Sequence, residues 1–166
     1  MRKPIIYLGA SALLLLAAAA HAGELTLDKV PAPIRDAAQA RFTDAKVVEA
    51  AKDKSEEGKD IYEIGMEDKD HNRIDLTLTP EGSITLIEMQ IARKDLPEAV
   101  AKTLEKKYPK ARYRLVEKIL EVVENAEKLK QYEVVLVTPK KQIWGVEVAV
   151  DGKVLTEEKR TSETED

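Results

Sequence analysis

Val30-Pro31-Ala32-Pro33-Ile34-Arg35-Asp36-Ala37-Ala38-Gln39-Ala40-Arg41-Phe42-Thr43-Asp44-Ala45 and Leu96-Pro97-Glu98-Ala99-Val100-Ala101-Lys102-Thr103-Leu104-Glu105-Lys106-Lys107-Tyr108-Pro109-Lys110-Ala111 are two versions of one segment, aligned without a gap at an offset of 66 positions. The correspondence returns downstream. Tyr62-Glu63-Ile64 falls on Tyr132-Glu133-Val134, and Pro80-Glu81-Gly82-Ser83-Ile84 falls on Val150-Asp151-Gly152-Lys153-Val154, now at an offset of 70. One loop of the second copy is therefore expected to carry four extra residues. Self-similarity at a fixed period means that one structural unit was built twice.

Each version of the segment reads as a helix. Val30, Ile34, Ala38 and Phe42 recur every fourth residue, as do Leu96, Val100, Leu104 and Tyr108, which lays an apolar stripe along one helical face. Asp95 and Glu98 have the spacing of a capping box, Pro97 suits the first turn, and Pro109 stops the second helix.

Beyond each helix the apolar period drops to two. Tyr62, Ile64 and Met66, then Ile74, Leu76 and Leu78, alternate with polar residues; Tyr132, Val134 and Leu136, then Trp144, Val146, Val148 and Val150, do so in the second copy. The links 69–72 and 139–142 are polar and of hairpin length, and Glu81-Gly82 and Asp151-Gly152 mark further tight turns, each followed by one more strand. Lys46 to Lys52 reads as a strand. The stretch from Tyr113 to Gln131 would suit helix or strand by its own pattern, and the repeat favours strand. The expected fold is α+β: two tandem repeats, each a helix packed on a four-stranded antiparallel β-meander.

The ends and the composition bound the rest. Met1 to Ala22 has a basic start at Arg2 and Lys3, an apolar run and a small-x-small close at Ala20-His21-Ala22, so it reads as a cleaved export signal, with the mature chain starting at Gly23. Export predicts a periplasmic or secreted protein with no membrane span after cleavage. Without cysteine there is no disulfide framework, so the core alone must hold the fold. The formal charge of −4 becomes −6 once the two basic residues of the signal are gone, which argues against a nucleic-acid partner. The expected divisions are 1–22 signal, 23–92 first repeat, 93–159 second repeat, and 160–166 a disordered acidic tail.

These features resemble the PepSY-like family, which includes the beta-lactamase-inhibitor-like periplasmic domains. The resemblance lies in Leu96-Pro97, Tyr108-Pro109-Lys110-Ala111, Tyr132-Glu133-Val134 and Asp151-Gly152, and in Val30-Pro31, Phe42, Tyr62-Glu63-Ile64 and Glu81-Gly82 of the first copy. The first copy departs with Thr43 for the proline and Glu81 for the aspartate. The resemblance implies a tandem of helix-on-sheet units acting as a binding module, in some members an inhibitor or regulator of peptidases or other exported enzymes. It transfers no catalytic residue.

The residues themselves offer little chemistry. His71 is the one histidine after the signal and reads as a solvated loop residue beside Asp70. Glu67, Asp68, Asp70 and Asn72 lack the glycine and distal glutamate of a calcium loop, so no metal and no cofactor is expected. Ser55, Ser83 and Ser162 have no base and no glycine elbow. No carboxylate pair shows an apolar setting that would raise its pKa, so no catalytic residue is assigned. Trp144, Tyr62 and Tyr132 read as core.

The informative face is the other side of the strands. In the first copy it carries Glu63, Arg73, Asp75, Thr77 and Thr79, ordinary solvated residues; in the second it carries Glu133, Val135, Val137, Ile143, Gly145, Glu147 and Ala149, an apolar set. Either the rest of the chain covers that set or it receives an exported protein partner, with Val135, Val137 and Ile143 at the centre and Glu133 and Glu147 at the margin. The alternative is a structural envelope protein that binds a small ligand, an ion or a cell-wall component. Oligomeric state is not readable.

Overall fold

Helix α1 spans Ala32–Arg41 and helix α2 spans Glu98–Lys107, each preceded by a short 3-10 turn, Leu27–Lys29 and Arg93–Asp95. The structure is a computed structural model that describes residues 23, 25–55 and 57–160; the expected signal and residues 161–166 of the expected tail lie outside them. The Asp95/Glu98 capping box does not form. Residues before proline are driven into extended backbone, so Leu96 sits at φ −66°, ψ 138°, the N-cap falls on Pro97, and Asp95 is left in the 3-10 turn.

Four strands follow each helix: β1 Lys46–Lys54, β2 Asp60–Glu67, β3 Arg73–Leu78 and β4 Ile84–Gln90 after α1, then β5 Arg112–Val123, β6 Ala126–Val137, β7 Ile143–Ala149 and β8 Val154–Arg160 after α2. They form one antiparallel sheet in the order β1 to β8. The two meanders are thus not separate sheets. β4 and β5 pair from Leu86 opposite Glu121 to Gln90 opposite Glu117, which joins the copies edge to edge and puts β1 and β8 at the two ends of the strand order, β1 being bonded on its outer side by Gly23 and Leu25.

Both helices pack on one side of this sheet. α1 buries Ile34 and Ala38 against Ala50, Ile64, Met66, Leu76 and Ile87, while α2 buries Val100 and Leu104 against Val116, Val134, Leu136, Val146 and Val148. Ile34, Val100 and Leu104 have no residual exposure, and each such side chain contributes ~1.5–3 kcal/mol by leaving water. Trp144 and Tyr132 join the second cluster and Tyr62 the first, as their strand phase requires.

The stretch 113–131 is strand throughout except for the turn at its middle, in β5 and β6. The four extra residues of the second copy are not in a loop. β1 through β2 covers 46–67 and β5 through β6 covers 112–137, that is 22 against 26 residues, and the surplus lengthens the hairpin around a tight Glu124-Asn125 turn with both φ positive. The longer strand has a packing role. Leu120 and Val122 reach the core under α1, and Arg41 of α1 pairs with Glu127 of β6 (Nε to Oε1 2.8 Å), so the second copy helps to close the first.

The turns repeat as well. Gly82 and Gly152 both have φ 89°, and a Cβ at either would lie 2.6 Å from the Pro33 carbonyl oxygen or 2.7 Å from that of Ala99. Glycine is needed there for the backbone angle and because the turn docks on the helix's first turn. Arg160, expected to open a disordered tail, is instead the last residue of β8.

Candidate binding face

Alternation along the strands and the register between them decide what stands on the sheet side away from the helices. In the first copy β1 places Glu49 there, β2 Glu63, β3 Asp75 and β4 Glu88, with Glu49 opposite Gly65, Gly65 opposite Asp75, and Asp75 opposite Glu88. In the second copy β5 places Glu117, β6 Glu133, β7 Glu147 and β8 Glu158, with Glu117 opposite Glu133 and Glu133 opposite Glu147. Every strand thus sends at least one carboxylate to the helix-free face. Like charges directly opposite are unfavourable, so this alignment opposes sheet stability.

Two arginines relieve part of it. Arg73 donates from Nη2 to Glu49 Oε2 at 2.8 Å and from Nε to Asp75 Oδ2 at 2.7 Å. Arg160 donates from Nη2 to Glu133 Oε1 at 2.8 Å and from Nε to Glu158 Oε1 at 3.3 Å. Each guanidinium lies over a glycine of a neighbouring strand: a Cβ would stand 3.1 Å from Arg73 Nη2 at Gly65 and 2.7 Å from Arg160 Nε at Gly145.

The middle of the row is left without such a partner. Glu88 on β4 has its carboxyl pushed up to about 8, first by burial and then by the charges of Glu117, Asp75, Glu133 and Glu63. Glu117 on β5 is raised to about 7 by burial and by Glu133 and Asp75, with Arg73 and Arg160 opposing. Burial also raises Glu63, Asp75 and Glu133. Glu88 Oε1 and Glu133 Oε2 are buried without a hydrogen-bond partner. These findings correct two expectations: carboxylates in a desolvated setting do exist, and Glu63, Arg73 and Asp75 are partly buried rather than freely solvated. Their raised affinity for protons depends on neighbours from other strands, which linear spacing does not reveal.

All five residues expected to form a protein-binding patch do share this face. Val135 lies between Leu115 and Gly145, and Val137 lies between Arg112 and Ile143. Their exposure differs from the expectation. Val135 is 3% exposed and Glu133 2%, so one of the three supposed central residues is closed and one of the two supposed marginal glutamates is buried. Val137, Ile143 and Glu147 remain partly open, and Ile119 of β5 is buried on the same side. The stretch 113–131 lies within the sheet, in β5 and β6 and the turn between them.

Other features are separate from this face. His71 is exposed, with Nδ1 2.6 Å from Glu67 Oε1, and Asp68 Oδ1 accepts the backbone N–H groups of Asp70 and Asn72, so those oxygens are engaged in closing the β2–β3 turn. A groove of about 540 Å³ opens on the helix side of the first copy, lined by Leu27, Val30, Gln39, Val47 and Ile64. Its lining comes from the first copy alone. Among the described residues, no three His, Cys, Asp or Glu side chains converge as a metal site would require, and no helix is long and apolar enough to cross a membrane.

Comparison with known proteins accounts for the architecture. A model of the family described as "Putative beta-lactamase-inhibitor-like, PepSY-like" matches twice in tandem, over residues 17–86 and 85–155. No curated protein sequence matches the chain. Among solved structures, a protein of Bacteroides eggerthii described as periplasmic superposes with a TM-score of 0.62 at 12% identity, covering 78% of this chain and 88% of that one. A DUF2874 family protein of Bacteroides uniformis gives 0.60 at 10% identity (78% and 89% covered), and a BLIP-like protein of Bacteroides fragilis gives 0.54 at 13% (81% and 89%). At such identities the likeness shows the fold alone, while the two family matches together span most of the sequence. The chain belongs to the PepSY-like, beta-lactamase-inhibitor-like family.

Proposed function

We propose that this chain is an exported, non-catalytic binding module of the periplasm or the secreted fraction, which holds another exported protein, such as a peptidase or other hydrolase, against its helix-free sheet face and so regulates or inhibits it. The observation that carries the reading is that face itself. Eight strands present a continuous surface with partly open apolar residues at Val137 and Ile143 and a charged row beside them, the mixture of apolar patch and polar surround that protein interfaces use. The family description and the BLIP-like structural neighbour support the same class of role. A binding role requires no proton transfer from the raised carboxyls at Glu88 and Glu117.

The test is a crosslinked pull-down from envelope extract with tagged residues 23–166, followed by assay of any captured hydrolase with purified chain. Val137→Asp and Ile143→Asp are the informative variants, since Val135 is too buried for an aspartate to report on binding alone. A partner lost in both variants, and inhibited by the parent chain, is the expected result. Capture unaffected by either variant would remove the face from the reading. A melting temperature raised by a small envelope component, with no protein captured, would favour ligand binding instead.

A further inference from the structure

We propose that the stretch of the acidic row framed by Glu88, Glu117 and Glu133 is a berth for a guanidinium or ammonium head, an arginine or lysine side chain that the docked protein presents. The inference rests on the reading of the helix-free face as the docking face, and adds the chemistry of what is recognised.

The chain itself shows what this face accommodates. It fills one berth with Arg73, between Glu49 and Asp75 over Gly65, and another with Arg160, between Glu133 and Glu158 over Gly145. Strands β4 and β5 lie between them and carry the same carboxylates without a cation. Glu133 is 2% exposed and keeps Oε2 unpartnered, Glu88 keeps Oε1 unpartnered, and Glu117 beside them is 4% exposed. Buried anions without a partner are costly, so an arriving cation recovers solvation that the fold gave up. The carboxylates are strung along adjacent strands rather than converging on a point, which suits an extended side chain better than a metal ion. Charge agrees as well, the chain being net negative.

Protonation couples to occupancy. Glu88 and Glu117 are faced by Glu63, Arg73 and Asp75 from the first copy and by Glu133 and Arg160 from the second. With carboxyls raised to about 8 and about 7, Glu88 and Glu117 are largely uncharged in mild acid and anionic in mild base, so a bound cation should expel protons from them.

The experiment is a side-chain carboxyl NMR titration of the full chain with the peptide Ac-Gly-Arg-Gly-NH2, using the citrulline peptide as an uncharged match. The arginine peptide should move the Glu88 and Glu117 carboxyl signals, lower their titration midpoints, and bind at least tenfold more tightly at pH 9 than at pH 5.5. The Glu88→Gln/Glu117→Gln variant should weaken it at least tenfold; because the change is isosteric and removes buried charge, the variant stays folded, as Trp144 fluorescence would show. Equal responses to both peptides, or unweakened binding by the double variant, would overturn the berth. The two readings fail separately. A protein released by Val137→Asp that still binds the double glutamine variant as the parent does refutes the berth and leaves the docking face standing. Arginine-selective binding with no protein captured keeps the berth and refutes the protein-binding role.

Discussion

Replacing Glu88 by glutamine should stabilise the protein, and only above mildly acidic pH. In the folded chain this carboxyl is raised from the usual 4.5 to about 8, chiefly by burial. A carboxyl raised on folding binds its proton more tightly in the native state. Below pH ~4.5 both states are protonated and nothing is lost; as pH climbs from there through about 8, the unfolded state ionises first and stability drains away. A tenfold change in proton affinity is ~1.4 kcal/mol, so the full rise sets a ceiling of about 5 kcal/mol. Part of the rise is repulsion shared with Glu117, Asp75, Glu133 and Glu63, which relax together when one is removed, and the glutamine amide also needs a partner. The expected net gain for Glu88→Gln is therefore about 2–3 kcal/mol at pH 9, roughly 5–10 °C in Tm, with almost none at pH 4.5. Urea unfolding followed by far-UV circular dichroism and Trp144 fluorescence at pH 4.5, 7 and 9 reads this directly. A variant that gains equally at all three values, or that loses stability at pH 9, would show that burial of a charge at this site is not what opposes folding.

Three further outcomes follow from contacts. Arg160→Met leaves Glu133, 2% exposed, without its cation, and should cost about 3–5 kcal/mol at pH 8 but less at pH 5, where Glu133 can take up a proton; a loss independent of pH would mean packing alone is at stake. Gly152→Ala forces a Cβ to 2.7 Å from the Ala99 carbonyl at φ 89°, and should cost about 2 kcal/mol or more by denaturant titration, with Gly82→Ala behaving alike in the first copy. Tyr108→Phe removes a 2.6 Å hydrogen bond to Glu157 Oε2 and should cost about 1 kcal/mol, modest because Phe42 fills the matching place in the first copy without a hydroxyl.

Much of the architecture was legible in the linear pattern because it depends on local periodicity. The four-residue spacing of Ile34 and Ala38, or of Val100 and Leu104, fixes which side of each helix is buried, and the alternation in Ile74-Asp75-Leu76-Thr77-Leu78 fixes which side of a strand faces the helix. The same alternation was enough to place Glu133, Val135, Val137, Ile143 and Glu147 on one face. Their burial was not legible. Val135 is closed over because Leu115 and Gly145 flank it on neighbouring strands and Arg160 lies across Gly145, contacts made with residues 10 or more positions away in sequence. The capping-box reading failed for a local reason, the preference of a pre-proline residue for extended backbone, which outweighed the favourable spacing of Asp95 and Glu98.

By itself, then, the sequence determined that one helix-and-strand unit occurs twice, which faces of its elements are apolar, and where its turns fall, since each follows from residue periods of two or about 3.6 and from glycine's backbone freedom. Only the tertiary structure decided that β4 pairs with β5, so that two meanders become one sheet, and that four additional residues lengthen a hairpin until Leu120 and Val122 complete the other copy's core. It also decided that carboxylates from every strand stand on one side in adjacent rows. Strand register sets those distances, and it is the closeness of the charges in a desolvated place, not their spacing along the chain, that raises Glu88 and Glu117 and gives the helix-free face its electrostatic character.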